Sequence, residues 1–110
     1  VLNQGPYVAS KHAVSGLTKN AALEYGKDGI VTNAIAPGAI LTPMVVEAFN
    51  QMNPEDPKKA ETDFAQGNPT KRLGVPEEVA KVVVFLLSDD CSYVNGQTIA
   101  IDGGQSNAYG

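Results

Sequence analysis

Tyr7 and Lys11 stand four residues apart in the stretch GPYVASKHAV. On a helix, residues i and i+4 share a face, so this phenol and this ammonium can converge on one small volume. A free tyrosine ionises near pH 10, so about one molecule in a thousand is phenolate at neutral pH. An adjacent ammonium favours the phenolate and brings the group closer to working pH. Such a pair suits the interconversion of a carbonyl and an alcohol, in which a proton reaches or leaves oxygen while hydride moves at carbon. The ammonium has donors to spare for a sugar diol as well. Taken alone, Tyr-x-x-x-Lys on a helix is usually a surface pair with no chemistry, and the pair by itself decides nothing.

The elements that would position this pair can be read in turn. From Tyr7 to about Tyr25 the chain is rich in helix formers and free of proline, with Val14, Leu17, Ala21 and Ala22 on one helical stripe. Gly26 is expected to end that helix as a C-cap, and Lys27-Asp28-Gly29 to turn the chain. Residues 30–36, IVTNAIA, are short, apolar and β-branched, which predicts a buried strand. A long helix feeding such a strand predicts an α/β fold with a parallel sheet. PGAILTP follows at 37–43. Residues 44–70 are polar, contain three prolines and predict short helices over the top of the sheet. Pro76, Glu77 and Glu78 mark a helix start, because proline fits the first helical position and acids suit the positive end. Val79, Val82, Val83, Leu86 and Leu87 continue it to Ser88-Asp89-Asp90. Asn95-Gly96 predicts a turn and QTIAID at 97–102 a last strand. The order is helix, strand, lid, helix, strand. Two strands are too few for these helices, so the sheet is incomplete as written.

Composition narrows the classes. The 110 residues are 43% hydrophobic and 18% charged, a globular balance, and the net charge of −4 argues against a nucleic-acid partner. The longest apolar run, VVVFLL at 82–87, is far short of a membrane span. VLNQGP at the front lacks the features of a signal peptide. Cys91 is the one cysteine, which excludes an intramolecular disulfide and makes a reducing cytoplasm the simplest location. The lack of an initial Met, with the incomplete sheet, leads us to expect a fragment.

Three blocks now combine: YVASKHAVSGLTKNAALEYGKDGI, then NAIAPGAILTPM, then RLGVPEEVAKVVVFLLSDDCSYVNGQTIAIDGG. In order and spacing they resemble the C-terminal half of the short-chain dehydrogenases/reductases, over nearly the whole chain. Tyr-x-x-x-Lys, Asn-Ala-x-x-Pro-Gly with a later Thr, and the terminal Asp-Gly-Gly carry the resemblance together. NPEDPKKAETDFAQGNPTKR and IDGGQSNAY are most similar to the alicyclic-ketone reductases within that family. The resemblance implies the C-terminal part of a doubly wound, Rossmann-type parallel sheet, with residues 44–70 as a substrate lid. It implies NAD or NADP as cofactor, NAD favoured, a small alcohol or ketone as substrate, and a homotetramer or homodimer. Tyr7 would be the catalytic acid/base, and Lys11 would lower its pKa and hold the nicotinamide-side ribose. Pro37 and Gly38 would shape the loop beside the nicotinamide. Ile40 would meet the carboxamide through its backbone, and Thr42 the carboxamide or a phosphate through its hydroxyl. A glycine there would let backbone approach a ring closely, just beyond the carboxyl end of a strand.

There are departures from the family pattern. The glycine-rich phosphate loop, the catalytic serine and the helix asparagine of the family belong before Tyr7, and Ser10, Ser15 and Asn20 cannot stand in for the latter two. Val31 stands where the family usually has an arginine. The chain thus carries about half of such an active site.

Other candidates read as structural. His12 has no partners at metal or triad spacing. Cys91 reads as filler after a helix. Glu77 and Glu78 suit a helix start, while Asp89 and Asp90 lie beyond its end. Asn33, amid an apolar run, needs partners for its amide and reads as a clamp near the cofactor loop. Asp102 is expected to brace the C-terminal turn. Met44, Val45 and Phe49 either line the substrate side of the lid or pack against the body. The leading reading is an oxidoreductase acting on a secondary alcohol or ketone, cyclic by the resemblance. Its rival is a non-catalytic oligomerisation module. Within enzymes, a 3-oxoacyl carrier-protein reductase or a glucose dehydrogenase shares the same motifs.

Overall fold

The computed structural model describes residues 4–105, of which 4–11 are described as backbone alone. It is an α/β arrangement with a two-stranded parallel sheet. The chain divides into two compact units. One takes the described chain up to Ile35 together with Val84–Ile99; the other takes Ala36–Val83 and the chain from Ala100.

The first unit opens with helix α1, Gln4–Tyr25, which continues into a 3-10 turn at Gly26–Asp28. The expected cap at Gly26 is corrected: the left-handed residue is Gly29, at φ 81°, whose N–H donates to Gly26 O at 3.1 Å. Only there does the chain leave helical geometry, so the positive φ and the glycine fall three residues later than read. The buried face of α1 also differs from the expected stripe. Thr18 and Ala22 are buried, while Val14 and Leu17 are 51% and 69% exposed. Ala22 packs against the turn at Asn95-Gly96. A Cβ on Gly96, at φ 76°, would lie 3.1 Å from Ala22 Cβ, so this contact admits only small groups. Thr18 donates its hydroxyl proton to Val14 O at 2.7 Å, which satisfies its buried oxygen.

Strand β1 is Ala34–Pro37 rather than residues 30–36. Thr32 and Asn33 are held to the 94–97 turn mainly by side-chain amides in place of a ladder. Thr32 N–H donates to Asn95 Oδ1 at 2.9 Å, and Gly96 N–H donates to Thr32 O at 2.7 Å. Asn33 Nδ2 donates to Val94 O at 2.9 Å, while Asn33 Oδ1 accepts from Gln97 N–H at 3.0 Å. Asn33 is thus a clamp, as expected, but on the 94–97 turn and not on the loop after β1. The strand is half-buried rather than buried, because β2, Thr98–Ile101, is its one neighbour among the described residues. Ala34 N–H donates to Gln97 O at 2.8 Å and Gly38 N–H to Ile101 O at 2.9 Å, which sets a parallel register.

The second unit contains helices α2, Pro43–Met52, and α3, Pro57–Ala65, the short helices expected of the middle segment. Each starts with a side-chain cap followed by proline. Thr42 Oγ1 accepts from Val45 N–H at 3.3 Å, and Asp56 Oδ1 accepts from Lys59 N–H at 3.2 Å. Phe49, Ala60, Ala65 and Leu73 form the core, with Ala39, Leu41 and Val45 against it. Helix α4, Pro76–Leu86, begins at the proline expected to start it. Among the described residues no helix is long and apolar enough to cross a membrane.

Removing the Asn33 amide strands one acceptor and one donor. Asn33→Ala is expected to lower unfolding free energy by about 1–3 kcal/mol in urea titrations. Asn33→Asp should fall between, because a carboxylate keeps the acceptor for Gln97 N–H and loses the donor to Val94 O.

Candidate active site

The chain leaves the carboxyl end of β1 at Pro37 and runs to Thr42, the N-cap of α2. A parallel bridge between Ile40 and Gly74 fixes this loop. Gly74 N–H donates to Ala39 O at 3.0 Å, and Leu41 N–H donates to Gly74 O at 2.8 Å. Both neighbours of Ile40 are therefore tied, while the Ile40 N–H donates to no group among the described residues. Ile40 O accepts from Thr42 N–H at 2.9 Å. Thr42 Oγ1 accepts from Val45 N–H, which leaves its proton for an outside acceptor. That capping role of Thr42 was not read from the sequence, although Thr-Pro before a helix was a usable signal.

Gly38 has a nearer reason to be glycine than the approach of a ring. A Cβ there would lie 2.5 Å from Asp102 Cβ and 3.0 Å from its Cα. Asp102 braces its own turn as expected: Oδ1 accepts from Gly104 N–H at 3.0 Å, and its carbonyl accepts from Gln105 N–H at 3.1 Å. Gly103 and Gly104, at φ 61° and 88°, complete that turn.

The loop borders a cavity of about 440 Å³. Gly38, Ala39, Ile40 and Thr42 form one side, Val45, Ala48, Phe49 and Met52 of α2 another, and Phe64 and Leu73 close it. Phe49 and Phe64 rings meet at 5.8 Å between centroids, tilted by 59°. Among the described residues, Thr42 supplies the only polar side chain of this lining. A smaller cavity of about 140 Å³ touches the same loop, with the polar side chains of Asn68, Thr70, Arg72, Glu78 and Asp102 around it.

The structure thus gathers Gly38, Ile40 and Thr42 at one cavity, with Pro37 ending the strand that leads to it. Tyr7 and Lys11 lie one turn apart on α1, and their side chains are outside the described residues. Val45 and Phe49 do both things offered for them, lining the cavity and packing on the core. Met44 does neither and is 82% exposed. His12 is exposed, Cys91 is buried, and no His, Cys, Asp and Glu cluster among the described residues fits a metal ion.

Sequence reading missed Arg72 and Gly74. Arg72 Nη1 and Nη2 each donate to a Glu78 carboxylate oxygen at 2.8 Å, and Glu78 Oε1 also accepts from Val75 N–H at 2.9 Å. Arg72 Nη1 donates to Leu73 O at 3.1 Å as well. Glu78 therefore does more than sit near a helix start. The hydrogen bonds from Arg72, and next that from Val75 N–H, pull its carboxyl from an ordinary value of 4.5 down to about 2. The same pairing raises the Arg72 guanidinium. The signal in the sequence was an arginine and a glutamate bracketing Leu-Gly-Val-Pro.

The sign of the pH effect follows from that depression. The pair's contribution is fully present above the unfolded value near 4.5 and is lost as pH falls from there through about 2. Acid unfolding of Glu78→Gln should show a shallower decline across that window than the parent chain.

Residues 1–106 match the family model described as enoyl-(acyl carrier protein) reductase, and the chain belongs to that family, the short-chain dehydrogenases/reductases. It is 60% identical over 107 residues to levodione reductase of Leifsonia aquatica, covering 97% of this chain and 40% of that protein. A crystal structure of levodione reductase superposes with a TM-score of 0.81 at 59% identity, over 99% of this chain and 42% of the other. The expected resemblance to alicyclic-ketone reductases is borne out. Cyclohexanol dehydrogenase of Acinetobacter sp. (strain SE19) is 47% identical over 103 residues, 94% of this chain and 37% of its own. L-sorbose reductase from Gluconobacter frateurii, complexed with NADPH and L-sorbose, has a TM-score of 0.87 at 33% identity over 96% of this chain and 41% of its own. The chain thus spans about 40% of the length of the relatives it matches.

Proposed function

We propose that the complete protein is an NAD(P)(H)-dependent oxidoreductase that interconverts a secondary alcohol and a ketone, with a cyclic substrate. The observation that carries this reading is the pairing of an untied Ile40 N–H with a Thr42 hydroxyl at the edge of an apolar cavity. A nicotinamide carboxamide has one carbonyl acceptor and one amide donor. The Ile40 N–H suits the acceptor, the Thr42 hydroxyl suits either group, and the apolar lining suits a ring. The residues present therefore fit the cofactor. When bound, the nicotinamide supplies or takes a hydride at the substrate carbon.

The chain's own residues do the rest. Tyr7 gives its phenolic proton to the carbonyl oxygen in reduction and takes it back in oxidation. Lys11 favours the phenolate and holds the ribose hydroxyls. Pro37 and Gly38 bring backbone to the ring's edge, and α2 with α3 serves as the substrate lid. These residues meet only the part that NAD and NADP share, and NAD is our choice on family resemblance. A homotetramer or homodimer fits the exposed apolar Val14 and Leu17 of α1. The names of the relatives favour an enzyme over a non-catalytic module, and the cyclic-substrate reading rests on cyclohexanol dehydrogenase and levodione reductase.

The test is oxidation of NADH or NADPH by the complete protein with a cyclohexanone. Tyr7→Phe is expected to lower turnover at least about a hundredfold with dinucleotide affinity retained. Activity that survives with an unchanged pH profile would overturn the acid/base assignment.

A further inference from the structure

We propose that Arg72 and Glu78 are positioning residues for the dinucleotide, holding Gly74 so that Gly74 in turn holds the Ile40 N–H where the nicotinamide end needs it. The proposal rests on the oxidoreductase reading above.

Residues 72–78 lead from the core residue Leu73 through Gly74 into helix α4. Arg72 and Glu78 stand at the two ends of this short segment and are joined by two parallel hydrogen bonds of 2.8 Å. Glu78 also takes the Val75 N–H, and Arg72 also holds the Leu73 carbonyl. The backbone on both sides of Gly74 is therefore tied to the same ion pair. An exposed ion pair alone contributes little to stability, so its value here lies in geometry.

Gly74 passes that geometry on. It donates to Ala39 O and accepts from Leu41 N–H, so its two hydrogen bonds straddle Ile40. A Cβ at position 74 would lie 2.9 Å from Ile40 Cδ1, the tip of that side chain, so Gly74 packs directly against Ile40. Displacement of the 73–75 backbone must either break those two bonds or drag residues 39–41 with it. Hydrogen bonding is steep in distance and angle, so a shift of about 1 Å at the Ile40 N–H is enough to forfeit a ligand acceptor.

The pair touches the cofactor at no point in this scheme, so its loss should act on the nicotinamide end alone. The experiment measures dissociation constants of the reduced dinucleotide and of the matching ADP-ribose, which lacks the nicotinamide, for the complete protein. Arg72→Ala and Glu78→Ala should each weaken NADH or NADPH about tenfold and leave ADP-ribose binding as it was. The double variant should lose little more than the worse single one, because both substitutions act along one route. Arg72→Lys, which keeps the charge and one hydrogen bond, should fall between and serves where Arg72→Ala does not fold. Equal weakening of both ligands, or of neither, would overturn the positioning role. Failure of the parent protein to bind either dinucleotide would instead overturn the oxidoreductase reading.

Discussion

Two backbone hydrogen bonds, Gly74 N–H to Ala39 O and Leu41 N–H to Gly74 O, hold the loop on which the candidate site is built. Without them the six residues from Pro37 to Thr42 would be an ordinary connection between a strand and a helix. With them, the loop is an extra parallel segment whose central residue keeps its N–H untied. The cap on α2 begins at its far end, at Thr42. The core cluster begins beside it, where Ala39 and Leu41 pack against Phe49, Ala60, Ala65 and Leu73. A polar constraint and an apolar one therefore meet in the same six residues. That is how a short loop keeps a fixed shape against the entropy of an unpinned chain.

Close backbone approach recurs in both units, and it decides where small residues stand. Gly38 faces the backbone of Asp102, Gly74 faces Ile40, and Gly96 faces Ala22. Only Gly96 of these three has a positive φ, so for Gly38 and Gly74 the missing Cβ matters for space and not for dihedral freedom. Pro-Gly after β1 thus owes its glycine to the turn that ends β2. The Asp-Gly-Gly motif and the Pro-Gly motif, far apart in sequence, are two sides of one contact.

Much of this was legible beforehand. The order of elements, the proline starts of the helices, the turn at Asn95-Gly96 and the brace at Asp102 rest on local chemistry, which a sequence displays. The errors have identifiable physical causes. Gly26 was read as the cap because it follows the helix, but Gly29 carries the left-handed angle. Val14, Leu17, Ala21 and Ala22 were read as one stripe because they are apolar or small, but of these only Ala22, beside the turn at Gly96, is buried. Residues 30–33 were read as strand because they are β-branched, but Thr32 and Asn33 are bound to the 94–97 turn through the amides of Asn95 and Asn33. In the last two cases a partner more than sixty positions away bears on the outcome, and periodicity does not report such partners. Gly38, Ile40 and Thr42 were singled out through family resemblance, while Arg72 and Gly74 were passed over although an arginine and a glutamate bracket Leu-Gly-Val-Pro.

The account turns on one atom, the amide proton of Ile40. Its NMR resonance in the isotope-labelled complete protein, followed first with ADP-ribose and then with the full dinucleotide, tests the account directly. A downfield shift and slower solvent exchange with the dinucleotide, and neither with ADP-ribose, is the predicted result. A resonance that stays in place while the dinucleotide saturates the protein would contradict the account, and the loop after β1 would not be the nicotinamide wall.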